Sequence, residues 1–127
     1  MGTNKQIKVL VVEDNAINQL LISTILNLES FEVVVADNGK IAIDILINSD
    51  FDIILMDLMM PEMNGYDATE HIRNKLTDNK STIPIIAVSA DVSKDVKDKC
   101  KAVGMNDYIS KPYDAKHLLD LIKKTIC

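Results

Sequence analysis

The stretch FDIILMDLMMPEMNG, residues 51–65, decides how the rest of the chain is read. Ile53, Ile54, Leu55 and Met56 form a continuous apolar run, which predicts a buried strand over Phe51–Asp57. The run ends on a carboxylate, Asp57, and Pro61 and Gly65 then break the chain. A carboxylate at the mouth of a strand that is otherwise built to stay dry needs a chemical reason.

Four more apolar runs accompany it: Lys8–Glu13 (KVLVVE), Glu32–Ala36 (EVVVA), Ile83–Ser89 (IPIIAVS) and Asp107–Ser110 (DYIS). The first, third and fourth runs of the five are nearly unbroken in hydrophobicity, as strands covered on both faces must be. Between the runs the period lengthens. Ile17–Leu28 carries apolar residues at 17, 20, 21, 25 and 28, the spacing of one helical face. Asn38-Gly39 opens a second helix with Asn38 as its N-cap. Gly65–Arg73 is a short third helix, Asp91–Val103 a fourth stopped by Gly104, and Asp114–Ile126 a fifth capped by Asp114. Strict β-α alternation implies parallel strands joined by right-handed crossovers. The expected fold is therefore α/β: a three-layer, doubly wound, five-stranded parallel sheet forming one domain over residues 7–127. Met1–Gln6 reads as a disordered lead-in.

Composition narrows the partners. Of 127 residues, 47% are hydrophobic and only 4% aromatic, so the core is aliphatic. The formal net charge of −5 argues against a nucleic-acid groove or contact with an anionic membrane. Cys100 and Cys127 form no disulfide framework, which suits a reducing compartment. No apolar run reaches the ~18 residues of a membrane span. A cytoplasmic domain is expected, whether or not its parent chain is membrane-anchored.

Open α/β sheets bind ligands beyond the carboxyl ends of their strands. Here those ends carry Glu13, Asp14, Asp57, Ser89 and, one residue past the last strand, Lys111. At roughly 5 Å and an effective dielectric near 20, each pair of like charges costs about 3 kcal/mol. Such a cluster calls for a cation. Two or three hard oxygen ligands with room for water suit Mg²⁺, and zinc fits poorly because no Cys or His lies at these positions. With Lys111 as a second positive charge and Ser89 as a neutral donor, the set matches the demands of phosphoryl transfer, with Asp57 as nucleophile. Taken singly, Asp57 could instead cap the next turn, and Glu13 and Asp14 the first helix.

The motifs VVEDN (11–15), ILMDLMMPEMNG (54–65), PIIAVSA (84–90) and GMNDYISKP (104–112) resemble those of a response-regulator receiver domain, and the likeness covers residues 7–127. It implies a flavodoxin-like sheet of order 2-1-3-4-5. It also implies that Asp57 accepts a phosphoryl group from a phosphohistidine, with self-dephosphorylation to follow. Asp14 and Asp57 would ligate Mg²⁺ directly, Glu13 mainly through water, and the backbone carbonyl of Met59 would add a ligand. Lys111, joined to Pro112 by a cis bond, would contact the phosphoryl group. Ser89 would move toward it, and Tyr108 stands at the aromatic switch position. EDNAINQLL (13–21) and GMNDYISKPY (104–113) are similar to receivers carried by hybrid histidine kinases. The implied partners are a histidine kinase and/or a histidine phosphotransfer domain. A stand-alone regulator is the alternative.

The first helix has a wider apolar arc than one sheet-facing stripe requires, so Ile17 and Leu20 are either a docking edge for a helical partner or packing against helix five. Ile43 and Ile47 on the second helix are open to the same two readings. The fourth helix, highly charged around Val92, Val96, Cys100 and Val103, is an output surface or simply a solvated face. His71 and His117, far in sequence from the strand-end cluster, have no role in it.

Three rival functions meet specific obstacles. A haloacid-dehalogenase-type phosphatase needs a carboxylic acid two residues past the nucleophile, where Met59 stands. A flavin module needs a phosphate-cradling loop where EDNAIN lies. Asp14, Asp57, Ser89 and Lys111 are all present, against a receiver reduced to protein contacts. Met59 has no group to orient water, which predicts slow loss of an acyl phosphate.

Overall fold

The computed structural model describes residues 6–60, 63–91 and 93–126. The strands are β1 Lys8–Val12, β2 Glu32–Ala36, β3 Ile53–Asp57, β4 Ile85–Ser89 and β5 Asp107–Ser110. They form one parallel sheet in the order β2-β1-β3-β4-β5. The helices are α1 Ala16–Leu28, α2 Gly39–Asn48, α3 Gly65–Lys75, α4 Lys94–Val103 and α5 Ala115–Ile126. Both the doubly wound class and the strand order agree with the expectation.

Side-chain alternation along the strands divides the core into two layers. Leu10, Val12, Ile54, Met56, Ile85 and Ala87 face α2, α3 and α4, meeting Ala42, Leu46, Ala68, Ile72 and Cys100. Val9, Val11, Ile53, Leu55, Ile86 and Val88 face α1 and α5, meeting Ile22, Leu26, Leu118 and Ile122. β3 and β4 are buried along their whole length and β2 and β5 are not, because only the inner strands are covered on both faces and both edges. Each buried Leu or Ile contributes on the order of 1.5–3 kcal/mol. Among the described residues no helix is long and apolar enough to cross a membrane.

Most helix signals hold in detail. Asn38 Oδ1 accepts the Ile41 N–H at 2.9 Å, and Asp114 Oδ1 accepts the His117 N–H at 2.7 Å. Gly104 ends α4 at φ 103°, a left-handed conformation that glycine adopts without strain. Several boundaries differ, β1 ending at Val12 among them. α3 runs on to Lys75. β3 and β4 begin two residues later than predicted, at Ile53 and Ile85. α4 begins at Lys94, not Asp91, because Asp91 Oδ1 accepts the Ser93 N–H at 2.8 Å and forms a local turn, leaving Ser93 as the cap. A short 3-10 helix, Asp78–Thr82, lacked any periodic signal. Of the positions used above, Pro61, Val92, Cys127 and residues 1–5 of the lead-in lie outside the described residues.

The amino-terminal end of the sheet is held by two half-buried cations. Arg73 on α3 donates to Gly104 O (3.0 Å), Ser81 O (3.1 Å) and Asn106 Oδ1 (3.0 Å), and the same Asn106 oxygen accepts the Ile85 N–H at 2.8 Å. Lys80 donates to Leu46 O and, at 2.8 Å, to Ser49 O. Its ammonium thus sits at the carboxyl end of α2, where the helix dipole favours a positive charge.

Candidate functional site

At the opposite end, the register creates the site. β1 pairs with β3 so that Val12 lies beside Met56, and the next residues, Glu13 and Asp57, come side by side. The Glu13 N–H donates to Ala36 O of β2 at 3.0 Å, which continues the sheet one residue past β1. On the other flank, Ser89 pairs with Ser110, and the Lys111 N–H donates to Ser89 O at 2.8 Å. The four loops following β1, β3, β4 and β5 enclose a cleft of about 310 Å³. Glu13, Asp14, Asp57, Met59, Ser89 and Lys111 all line it, so the structure brings together every strand-end residue singled out in the sequence.

One ligand oxygen from each of Glu13, Asp14 and Asp57 lies within 4.8 Å of the other two. Glu13 and Asp57 are buried, at 4% and 6% exposure, while Asp14 faces solvent. The Lys111 ammonium bridges the buried pair, 3.1 Å from Glu13 Oε1 and 3.5 Å from Asp57 Oδ2. One cation against three carboxylates leaves the cleft negative. An all-oxygen donor set with one solvated member fits a hard divalent ion that keeps part of its water shell.

The titration behaviour follows from this crowding. Burial raises the Asp57 carboxyl; the Met59 N–H (3.1 Å from Oδ1) and Lys111 pull it down, adjacent Glu13 pushes it up, and it settles at about 6. Burial also pushes Glu13 up, but the Asn15 N–H and Lys111 outweigh it and hold that carboxyl below its usual value. One carboxyl of the close pair keeps its proton more tightly because the other has lost its own. Lys111 is raised: burial lowers it, but the hydrogen bond to Glu13 and the charge of Asp57 prevail.

Two features of the site were not read from the sequence. Gly65, the first residue of α3, donates its N–H to Leu58 O at 3.1 Å, and a Cβ there would stand 2.5 Å from Asp57 O and 3.0 Å from Leu58 Cα. Glycine is required by this approach of α3 to the backbone of Asp57. The second is a grip on the acidic turn. Gln19 Nε2 donates both to Glu13 O and, at 2.7 Å, to Asp37 Oδ1. No sequence signal marks a polar helical residue as bonding backward to a strand end.

The remaining expected residues lie around the cleft. The Lys111–Pro112 peptide is cis. Ser89 is buried, and its Oγ accepts the Asp91 N–H at 3.1 Å. Tyr108 is 36% exposed and lies outside the cleft, with the Lys97 ammonium 4.8 Å from its ring centre. It lines a separate groove of about 540 Å³ between α4 and β5, together with Lys94, Lys97 and Lys101. Ile17 and Leu20 are 77% and 70% exposed, so neither is packed away against α5. Ile43 belongs to the core, whereas Ile47 is exposed.

A doubly wound domain with an acid–lysine cleft at the head of its central strand defines a class, and the comparisons with known proteins agree on which one. The response regulator receiver domain family matches residues 9–123, and the chain belongs to that family. Hybrid signal transduction histidine kinase I of Dictyostelium discoideum is 42% identical over 125 residues, spanning 94% of this chain and 7% of that protein. Sensor histidine kinase RcsC of Escherichia coli is 34% identical over 126 residues, spanning 99% and 12% respectively. The chain thus matches only a small part of these relatives. Among solved structures, the receiver domain of a Pseudomonas aeruginosa sensor histidine kinase, with a magnesium ion coordinated in its active-site cleft, superposes with a TM-score of 0.88 at 33% identity, covering 96% of this chain and 98% of that one. A Saccharomyces cerevisiae response-regulator receiver domain, solved with a histidine phosphotransfer signalling protein, gives 0.87 at 30% identity, covering 96% and 90%.

Proposed function

We propose that this receiver domain takes a phosphoryl group onto Asp57 from a partner's phosphohistidine, in a Mg²⁺-dependent reaction, and exchanges it with a histidine phosphotransfer domain as part of a hybrid histidine kinase. The observation that carries the reading is the placement of Asp57: at the end of the central strand, 3.5 Å from Lys111, and within ligand distance of Glu13 and Asp14.

Asp14 and Asp57 would hold the metal directly, Glu13 mainly through water, and the Met59 carbonyl would complete the protein's share. The bound ion supplies positive charge that keeps Asp57 ionised and neutralises charge on the transferring group. An Asp57 oxygen forms the new O–P bond as the N–P bond of the phosphohistidine breaks. The electron pair returns to the imidazole nitrogen, which takes up a proton. The Met59 N–H fixes one Asp57 oxygen and so directs the carboxylate. Lys111, already seated between the buried acids, meets a phosphoryl oxygen without travelling far. The Ser89 hydroxyl accepts from Asp91, and its own proton therefore remains free to be donated to the phosphoryl group. Tyr108 would report the change toward α4.

The docking face is the exposed edge of α1. Asn15 and Asn18 of that segment line the cleft, and Ile17 and Leu20 stand exposed beside them. A helical partner seated on that edge would bring its histidine to Asp57. The direct test is intact-protein mass after incubation with acetyl phosphate, with and without Mg²⁺, for wild type and Asp57→Asn. A single adduct that requires both Mg²⁺ and Asp57 is expected. An adduct that survives Asp57→Asn, or no transfer from either acetyl phosphate or a phosphorylated histidine phosphotransfer domain, overturns the reading.

A further inference from the structure

Of the three clustered carboxylates, Asp14 is the exposed one, and among the described residues no hydrogen bond or ion pair holds its side chain. Glu13 is fixed by Lys111 and by the Asn15 N–H, and Asp57 by Lys111 and the Met59 N–H. Asp14 depends on its backbone alone. That backbone leaves the sheet at this point: β1 ends at Val12, the Glu13 N–H makes the last bond to β2, and α1 begins only at Ala16. The peptide joining Glu13 to Asp14 sets where the Asp14 carboxylate points, and its carbonyl oxygen, Glu13 O, accepts from Gln19 Nε2.

Gln19 is half-buried, and its amide is anchored on the far side by Asp37, the residue after β2. The same amide nitrogen thus ties α1 to the ends of two neighbouring strands. The asparagine cap of α1, Asn15 Oδ1 on the Asn18 N–H at 3.0 Å, fixes the first turn from which Gln19 reaches back.

We propose that Gln19, backed by Asp37, is a positioning residue for the metal ligands: it clamps the Glu13–Asp14 peptide so that the otherwise unsupported Asp14 carboxylate meets Mg²⁺ pre-aimed. This rests on the Mg²⁺-dependent reading of the cleft. Groups that orient a ligand without touching the metal commonly change affinity by roughly tenfold or more. The clamp needs a donor at position 19, so Gln19→Glu, which keeps the shape and loses the donor, should behave like Gln19→Ala.

The test is Mg²⁺ affinity by calorimetric titration for wild type, Gln19→Ala, Gln19→Glu and Asp37→Ala, with thermal melts of each and phosphorylation rates by acetyl phosphate across Mg²⁺ concentration. Both Gln19 variants should bind Mg²⁺ about 5- to 20-fold more weakly. Asp37→Ala should show a smaller loss, and Gln19→Ala combined with Asp37→Ala should be no worse than Gln19→Ala alone, since the two act through one clamp. At saturating Mg²⁺ the phosphorylation rate should return to that of wild type, a separation that a general loss of structure would not produce. If wild type binds Mg²⁺ and both Gln19 variants bind it equally well, the clamp is refuted and the reading of the cleft stands. If Gln19→Glu binds like wild type while Gln19→Ala is weakened, the side chain only fills space, and the donor role is refuted. If wild type itself binds no Mg²⁺, both readings fall together.

Discussion

The two ends of the sheet use cations in opposite ways. At the amino-terminal end, Arg73 and Lys80 are directed mainly at neutral carbonyl and amide oxygens, with Asp50 3.4 Å from Lys80, and each ties together separate elements. At the carboxyl-terminal end, Lys111 faces two buried carboxylates with a third beside them. In the first arrangement the charges are met by hydrogen-bond acceptors, though burial still lowers the Arg73 guanidinium. In the second, like charges crowd: Asp57 is forced up to about 6, and the cleft keeps surplus negative charge. Local strain of this kind, set against a well-satisfied opposite end, separates a site from a brace even where the residue types are similar.

That contrast can be broken by substitution. Asp57→Asn should abolish phosphate acceptance, read as the loss of the adduct in intact mass, while leaving the fold in place. Lys111→Met should lower the phosphorylation rate by roughly 100-fold. Arg73→Met should do the reverse, costing about 2–4 kcal/mol in denaturant unfolding because three acceptors lose a charged donor, with phosphate acceptance per folded molecule unchanged. An Arg73→Met protein that folds as stably as wild type would remove the distinction. Gly65→Ala lies between the two classes, since its Cβ collides with Asp57 O. It should cost on the order of 1–3 kcal/mol and also slow phosphorylation, as refitting α3 displaces the nucleophile.

The smallest expected effect sharpens the comparison through pH. Asp57 titrates at about 6 when folded, against an ordinary value of 3.8, so between these values the folded state holds a proton that the unfolded chain has lost. Stability contributed by this group therefore falls as pH rises through that window and stays lower above 6. In metal-free protein, Asp57→Asn should be more stable than wild type by about 1–3 kcal/mol at pH 7, with the difference vanishing toward pH 4. Mg²⁺ affinity should weaken as pH falls below 6, where a proton competes for the same oxygen. Melting curves of the two proteins at several pH values check the first statement, and calorimetric titration at pH 5 and 7.5 checks the second.

The elements that carry chemistry were legible because they obey short-range rules. Uninterrupted apolar runs mark β1, β3 and β4, and a parallel sheet places function where those runs stop, which led from the hydrophobic pattern straight to Glu13, Asp57 and Ser89. The caps Asn38 and Asp114 and the stop at Gly104 are local in the same sense. The braces and the clamp were not legible, because each joins residues whose partners come from other elements. Arg73 meets Asn106 across 33 residues, Lys80 meets Leu46 across 34, and Gln19 meets Asp37 across 18. On sequence alone all three look like ordinary solvated positions on polar stretches. The start of α4 failed for a different reason: Asp91 is a good cap by type, but Ser93 two residues later is an equally good one, and Asp91 serves that turn instead.

The central position of β3 has a consequence in time. Its amides are covered on both faces and bonded to β1 and β4, so they open to solvent only when the whole domain unfolds. The Asp91 and Ser93 amides, on exposed residues, rest instead on single side-chain bonds and so belong to the low-stability end of the molecule. In the proposed reaction the acceptor Asp57 is thus attached to the slowest-opening part of the molecule, while the segment just beyond Ser89 is among the least protected. On the proposed function, phosphoryl groups would come and go many times over this cleft without the sheet that holds Asp57 coming apart.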